Sequence, residues 1–206
     1  MTVAKSSDPR VSRTQAAVRD TARALFEEEG AAGLTHQRVA QRSGVGRATI
    51  YRHWPETVDL LSEALQTVDE PLLRPGRGPL RAWLRREMTR LATDLAEPTG
   101  TQFVAAIITS ADSDPRIASI RDDLMRRTVH TLASMLDRFE PTDSDEPSDP
   151  ELLLTQLVGP LIVQVSIMRN RVDRRFIDQV INSALAGRGI SSRGQGSART
   201  GPRPAR

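Results

Sequence analysis

The 206-residue chain has no cysteine. That excludes disulfides, thiolate metal sites and cysteine nucleophiles, and it suits a reducing cytoplasm. Aromatics are scarce: two Trp, one Tyr and four Phe. The core must therefore be built from Leu, Ile, Val, Ala and Met. Lysine is almost missing, with Lys5 alone, so nearly all positive charge is arginine. The first residues, MTVAKSSDPR, lack the apolar stretch of a secretory signal. The most apolar run, 152–165, is broken by Gln156, Gly159, Pro160 and Gln164. It is expected to be too short and too polar to span a bilayer. The three histidines, His36, His53 and His130, lie in different elements, and no pair has metal-ligand spacing. Neither a Ser–His–Asp set nor a catalytic carboxylate pair is legible. The expectation is a non-enzyme that needs no metal and no cofactor.

The net charge of +3 is unevenly spread. Residues 1–54 hold 9 basic and 5 acidic residues; residues 55–186 hold 15 and 21; residues 187–206 hold 5 arginines and no acid. A basic head on an acidic body is the electrostatic footprint of a nucleic-acid-binding end. The most informative segment lies in that head: residues 34–61, LTHQRVAQRSGVGRATIYRHWPETVDLL. It reads as two short helices joined by a glycine turn, a helix-turn-helix shaped for a DNA major groove. Ala40 is small enough for close helix approach, and Gly44 permits a positive φ at the turn. Ile50 faces inward with Val39 and Val45. Gly46, Arg47, Thr49, Tyr51 and Arg52 then face outward.

No strand-like alternation competes with helical spacing, so the fold is read as all-α with about nine helices. Residues 1–11 read as a flexible arm. Ser12 and Gln15 fit a capping box for a first helix to about Glu29, stopped by Gly30. The second helix starts at the N-cap Thr35, the third spans about 46–53, and Pro55 opens a fourth reaching Glu70. A turn-rich connector, 71–79, divides a helix-turn-helix domain (12–70) from a larger helical domain (71–186). That domain's helices are expected at 79–96, stopped by Pro98; at 100–111, with Thr99 and Gln102 as a capping box; at 115–139; at 150–169; and at 173–186. The acidic stretch 141–150 reads as a loop. The Gly- and Arg-rich tail, 187–206, has no core material and reads as disordered.

The segment VAQRSGVGRATIYRHWPETVDLL, with its flanks over 12–65, resembles the N-terminal domain of TetR-family transcriptional regulators. The run DPELLLTQLVGPLIVQVSIM looks like helix 8 of a TetR C-terminal subfamily. The resemblance implies a homodimeric, mostly repressive regulator that reads a palindromic operator in double-stranded DNA. It also implies a C-terminal domain that binds a small, largely apolar effector. By this resemblance Arg47 and Gln37 reach base edges. Thr35, Thr49, Tyr51 and His53 position the backbone, Arg52 does either, and Gly46 allows close approach. The chain departs from the family at Thr57, where many members carry a phosphate-binding Lys; Arg42, Arg52 or the arm is expected to compensate.

Helix 8 is apolar nearly all round, which predicts burial on several sides. With helix 9 it is expected to form a dimer interface through Leu153, Leu157, Leu161, Val165, Phe176, Val180 and Ile181. The effector pocket is expected among Trp83, Met88, Phe103, Ile107, Met125 and Met135, with Thr109, Gln164 and Ser166 orienting the ligand. Ordinary core packing remains an alternative for each. Two other functions stay open: a ligand-sequestering or interaction protein with a weakened helix-turn-helix, and an architectural DNA binder without an effector.

Overall fold

A computed structural model describes residues 9–66, 70–138 and 149–186. Among these the chain is all-α, with nine helices and no strand. They are α1 (Pro9–Glu29), α2 (His36–Ser43), α3 (Arg47–His53), α4 (Thr57–Leu65), α5 (Leu80–Ala96), α6 (Pro98–Ser110), α7 (Pro115–Leu136), α8 (Pro150–Ile162) and α9 (Arg174–Ala186). A 3-10 turn, Ala31–Gly33, follows α1, and a π-helical turn, Val163–Ile167, prolongs α8.

Several boundaries differ from the sequence reading, each for a local reason. Helix α1 already includes residues 9–11, expected in the arm, so Ser12 and Gln15 lie inside it and cap nothing. Pro98 does not merely end α5; it opens α6 at the first helical position, where a missing N–H costs no bond. Thr99 is therefore not a cap, and its hydroxyl donates to the Glu27 carbonyl instead (3.2 Å). Pro55 lies ahead of α4, which starts at Thr57 behind a reciprocal capping box between Glu56 and Asp59. Helix α4 ends at Leu65 and α7 at Leu136. The arm residues 1–8, Val68, Phe139, most of the acidic loop and the tail lie outside the described residues.

Two apolar cores organise the chain. The first joins Val18, Leu25 and Phe26 of α1 to Leu34, Val39, Ile50, Trp54, Leu60 and Leu65. Ala106, Ala111 and Ile117 belong to it as well, so α6 and the start of α7 pack into the head. The second core gathers Trp83, Leu84, Met88, Leu132, Met135, Leu153, Leu157, Leu161, Ile177 and Ile181. Helix α1 is anchored on the body at Gly30. Its φ of 70° suits glycine, and a Cβ there would lie 2.5 Å from Gln102 Cδ on α6.

The α8 run is long and apolar enough, by length and composition, to cross a membrane, contrary to the sequence reading. Its inner side chains instead pack against α5, α7 and α9. Pro160 cannot donate to the carbonyl one turn back, and the helix loosens into the π turn three residues on.

Candidate nucleic-acid interface

The second and third helices owe their angle to two caps. The Thr35 hydroxyl accepts from the Arg38 N–H (3.3 Å) and starts α2. Gly44 ends it in the left-handed region, φ 73° and ψ 5°, and donates back to the Ala40 carbonyl (3.1 Å). Two residues later Gly46 begins α3. Val39 and Ile50 are buried between the helices and Val45 packs partly buried against them, as the sequence predicted; Ala40 is buried as well. Trp54, just past α3, is buried too, and its Nε1–H donates to Glu63 of α4 (3.3 Å). Glu63 also accepts from Arg19 of α1 (2.9 Å), so α1 and α4 together brace the end of α3.

Opposite this core, α3 presents Arg47, Ala48, Tyr51 and Arg52, all exposed. Arg47 and Tyr51 are four residues apart and share one face, with no acidic side chain paired to Arg47 among the described residues. Gln37, Gln41, Val45, Gly46 and Arg47 border a shallow recess between α2 and α3. Thr35, Gln37, Gly46, His53 and Thr57 are exposed and Thr49 is half-buried. Arg52 lies 3.3 Å from His53 Nε2. Thr57 is the first residue of α4, where unbonded amides of the helix start accompany its hydroxyl.

Arg42 corrects the expectation. It is engaged by both nitrogens with the Glu28 carboxylate at the end of α1 (2.5 and 2.6 Å). Arg38 forms a similar two-pronged pair with Glu29. These hydrogen bonds hold both glutamates below the usual carboxylate range and raise both guanidiniums. Arg42 is thus committed to fastening α2 onto α1 and is not free to replace the charge absent at position 57. Of the arginines in α1–α3 whose side chains are described, Arg13, Arg47 and Arg52 alone have no acidic partner among the described residues.

Sequence reasoning missed three groups near the site. Ala48 sits on the outward face of α3, small enough to approach a thymine methyl. His36 lies flat against Tyr51, ring centroids 4.4 Å apart. Asp59, buried at the start of α4, accepts from the Glu56 N–H (2.7 Å) and from Arg116 of α7 (2.6 Å). Arg116 is shared with Asp114, the α7 N-cap, and its hydrogen bond pulls the Asp114 carboxyl down to about 2. Asp59 and Arg116 lie on helices far apart in sequence, and no local pattern reveals that pairing.

The body departs further from the expectations. Trp83, Met88 and Met135 are fully packed in the second core rather than lining a cavity. The Trp83 Nε1–H donates to the Arg74 carbonyl (3.0 Å). Phe103 and Ile107 pack against the head core, and Thr109 is exposed with its hydroxyl bonded to Ala105. Met125 and Gln164 are half-buried, and the Ser166 hydroxyl is buried in the π turn without a protein partner. Of the expected interface residues, Leu153, Leu157, Leu161, Val165 and Ile181 point into their own protomer's core. The outer side of α8 is instead Leu152, Gln156, Val163 and Ile167. Val180 is buried in that core as well, and Phe176 is half-buried against it; both border a recess with Thr155, Pro160, Gln179 and Ser183.

Comparison with known proteins gives this architecture its place. Residues 18–64 match the model of the N-terminal domain of bacterial regulatory proteins of the tetR family. Residues 74–184 match the tetracyclin repressor-like C-terminal domain. The HTH-type transcriptional regulator AqdR of Rhodococcus erythropolis is 24% identical over 86% of this chain and 86% of its own. YdeS of Bacillus subtilis, also named an HTH-type transcriptional regulator, is 23% identical over 89% and 93%. Among solved structures, the TetR-family regulator SCO0332 superposes with a TM-score of 0.62 at 27% identity, covering 84% of this chain and 97% of its own. The multidrug binding protein EbrR, solved with proflavin, has the same fold: TM-score 0.62, 20% identity, 83% and 99% covered. With both halves matched in order and the helix-turn-helix intact, the chain belongs to the TetR family of transcriptional regulators.

Proposed function

We propose that the protein is a homodimeric repressor that binds a near-palindromic operator and leaves it when a small molecule enters the C-terminal domain. The observation carrying this reading is the outward face of α3, with Arg47 and Tyr51 aligned and no acidic partner on Arg47 among the described residues. Arg47 reads a guanine through its O6 and N7; Gln37 and Ala48 contact neighbouring base edges. Thr35, Thr49, Tyr51, Arg52, His53 and Thr57 hold the sugar–phosphate backbone. Two such heads enter successive major grooves on one face of the duplex.

Dimerisation through the outer side of α8 and α9 fits the exposed Leu152, Val163 and Ile167, which lie along one side of the helix. EbrR, a protein of the same fold, was solved with proflavin, which supports a small-molecule effector. The junction of α6 and α7 with the head supports the coupling, because part of the head's core belongs to the body. An effector must bind the two arrangements of head and body unequally to shift the equilibrium. The site of action is cytoplasmic DNA.

Selection of bound sequences from random DNA tests the reading. It should return an inverted repeat with half-sites about one helical turn apart. Enrichment of nothing beyond general DNA, or of a single asymmetric half-site, would refute it.

A further inference from the structure

The imidazole of His36 touches the recognition helix twice. Its Nε2 lies 2.6 Å from the Trp54 carbonyl, at the C-terminal end of α3. A carbonyl only accepts, so this nitrogen carries the hydrogen. The ring is also nearly parallel to that of Tyr51, with an interplanar angle of 10° and centroids 4.4 Å apart. His36 itself is the first residue of α2, placed there by the Thr35 cap. One side chain thus links the start of α2 to the end of α3, where few other contacts restrain the exposed face.

Tyr51 is a large ring left 54% exposed by its own chain. Without His36 its ring would be free to sample rotamers over solvent. With His36 against it, one face is covered, and the ring stands on the exposed face of the helix that also carries Arg47. The hydrogen bond to Trp54 fixes the imidazole, and the imidazole fixes the tyrosine.

We infer that His36 is a positioning residue for DNA binding: it pre-orients Tyr51 so that the phenolic hydroxyl meets a backbone phosphate without a further loss of rotamer freedom. This rests on the proposed DNA-binding role of α3. His36 itself need not touch DNA. Tyr51 is not a cation, so its misplacement changes affinity at every salt concentration without altering the salt slope, unlike the loss of an arginine.

Tyr51 is the only tyrosine in the chain, so ring-labelled tyrosine yields a single spin system in the full-length protein. The experiment compares wild type with His36→Ala, His36→Phe, Tyr51→Phe and the His36→Ala/Tyr51→Phe double variant. Its readouts are the tyrosine ring resonance in free protein and affinity for a duplex selected by the wild type from random DNA. His36→Ala should shift the resonance out of the imidazole ring current. It should also weaken binding about three- to ten-fold, the scale of one hydrogen bond. Tyr51→Phe should weaken binding similarly, and the double variant no further. His36→Phe restores a ring under Tyr51 and should recover most of the resonance shift and part of the affinity. An unshifted resonance in His36→Ala overturns the stacking arm. A shifted resonance with additive losses in the double variant overturns the positioning role while leaving the DNA reading intact. Full affinity in Tyr51→Phe overturns the phosphate contact and the proposal with it.

Discussion

Asp59 joins two elements that the sequence places in separate domains, and its removal should expose that connection as a measurable energy. One carboxylate oxygen caps the backbone N–H of Glu56 at 2.7 Å; the other meets Arg116 of α7 at 2.6 Å. Loss of a helix cap costs about 1 kcal/mol. A hydrogen bond to a charged group is worth about 1.5–3 kcal/mol when screened from water. Here Arg116 is half exposed and keeps Asp114, so that contribution falls to about 1 kcal/mol. Asp59→Ala should therefore lower stability by about 2 kcal/mol in total. Asp59→Asn keeps an acceptor for Glu56 but not the charge, and should lose about half as much. The assay is urea unfolding at fixed protein concentration, because an associating protein gains stability by mass action. A double-mutant cycle with Arg116→Ala should show a coupling of about 1 kcal/mol. Strict additivity would refute the ion pair as a link between head and body.

Acid should probe the same junction. The Asp114 carboxyl falls from 3.8 to about 2 in the folded chain, chiefly through Arg116. Its folded value is depressed, so its contribution is full above about pH 4 and disappears as pH falls toward 2. The contribution is about 1–2 kcal/mol after screening, and Asp114→Asn should flatten that part of the stability-versus-pH curve. In DNA binding, Arg47→Ala should cost about 1–3 kcal/mol and relax preference at one base pair. Equal loss on every sequence would remove Arg47 from base reading. Arg42→Gln should leave the slope of log affinity against log salt unchanged, whereas Arg52→Gln should reduce it by about 1. Ile167→Glu should favour monomers in sedimentation without unfolding the protein. Leu157→Glu buries a charge and should destabilise the protomer itself by more than about 3 kcal/mol; a stable, folded Leu157→Glu variant would contradict the placement of α8.

The head was legible because its signals are local. Thr35, Gly44 and Ile50 lie within one short segment, and each does what its chemistry predicts. Helix α8 shows the opposite case. Leu152, Leu153, Leu157, Val163 and Ile167 are all apolar, so composition cannot say which face turns inward. The π turn adds a change of register that helical spacing alone does not contain. The pocket residues are ambiguous for a related reason: Trp83, Met88 and Met135, all buried, serve packing and ligand binding equally well on paper. Arg42 was misread because its partner Glu28 lies on another helix. The Thr99 cap failed because the proline that stops α5 also starts α6.

The pairing of Arg38 and Arg42 with Glu29 and Glu28 has a consequence for how the protein searches a genome. Each guanidinium held by a carboxylate is one fewer counterion released when the head touches duplex of any sequence. On the proposed function, general adhesion to DNA should be reduced, while base reading by Arg47 should be untouched. Time spent on wrong sites shortens more than time spent on the right one. The ratio of the two, which governs occupancy among millions of competing positions, rises without any new contact to the operator. Internal neutralisation on the first two helices acts, in this sense, as a filter against loitering.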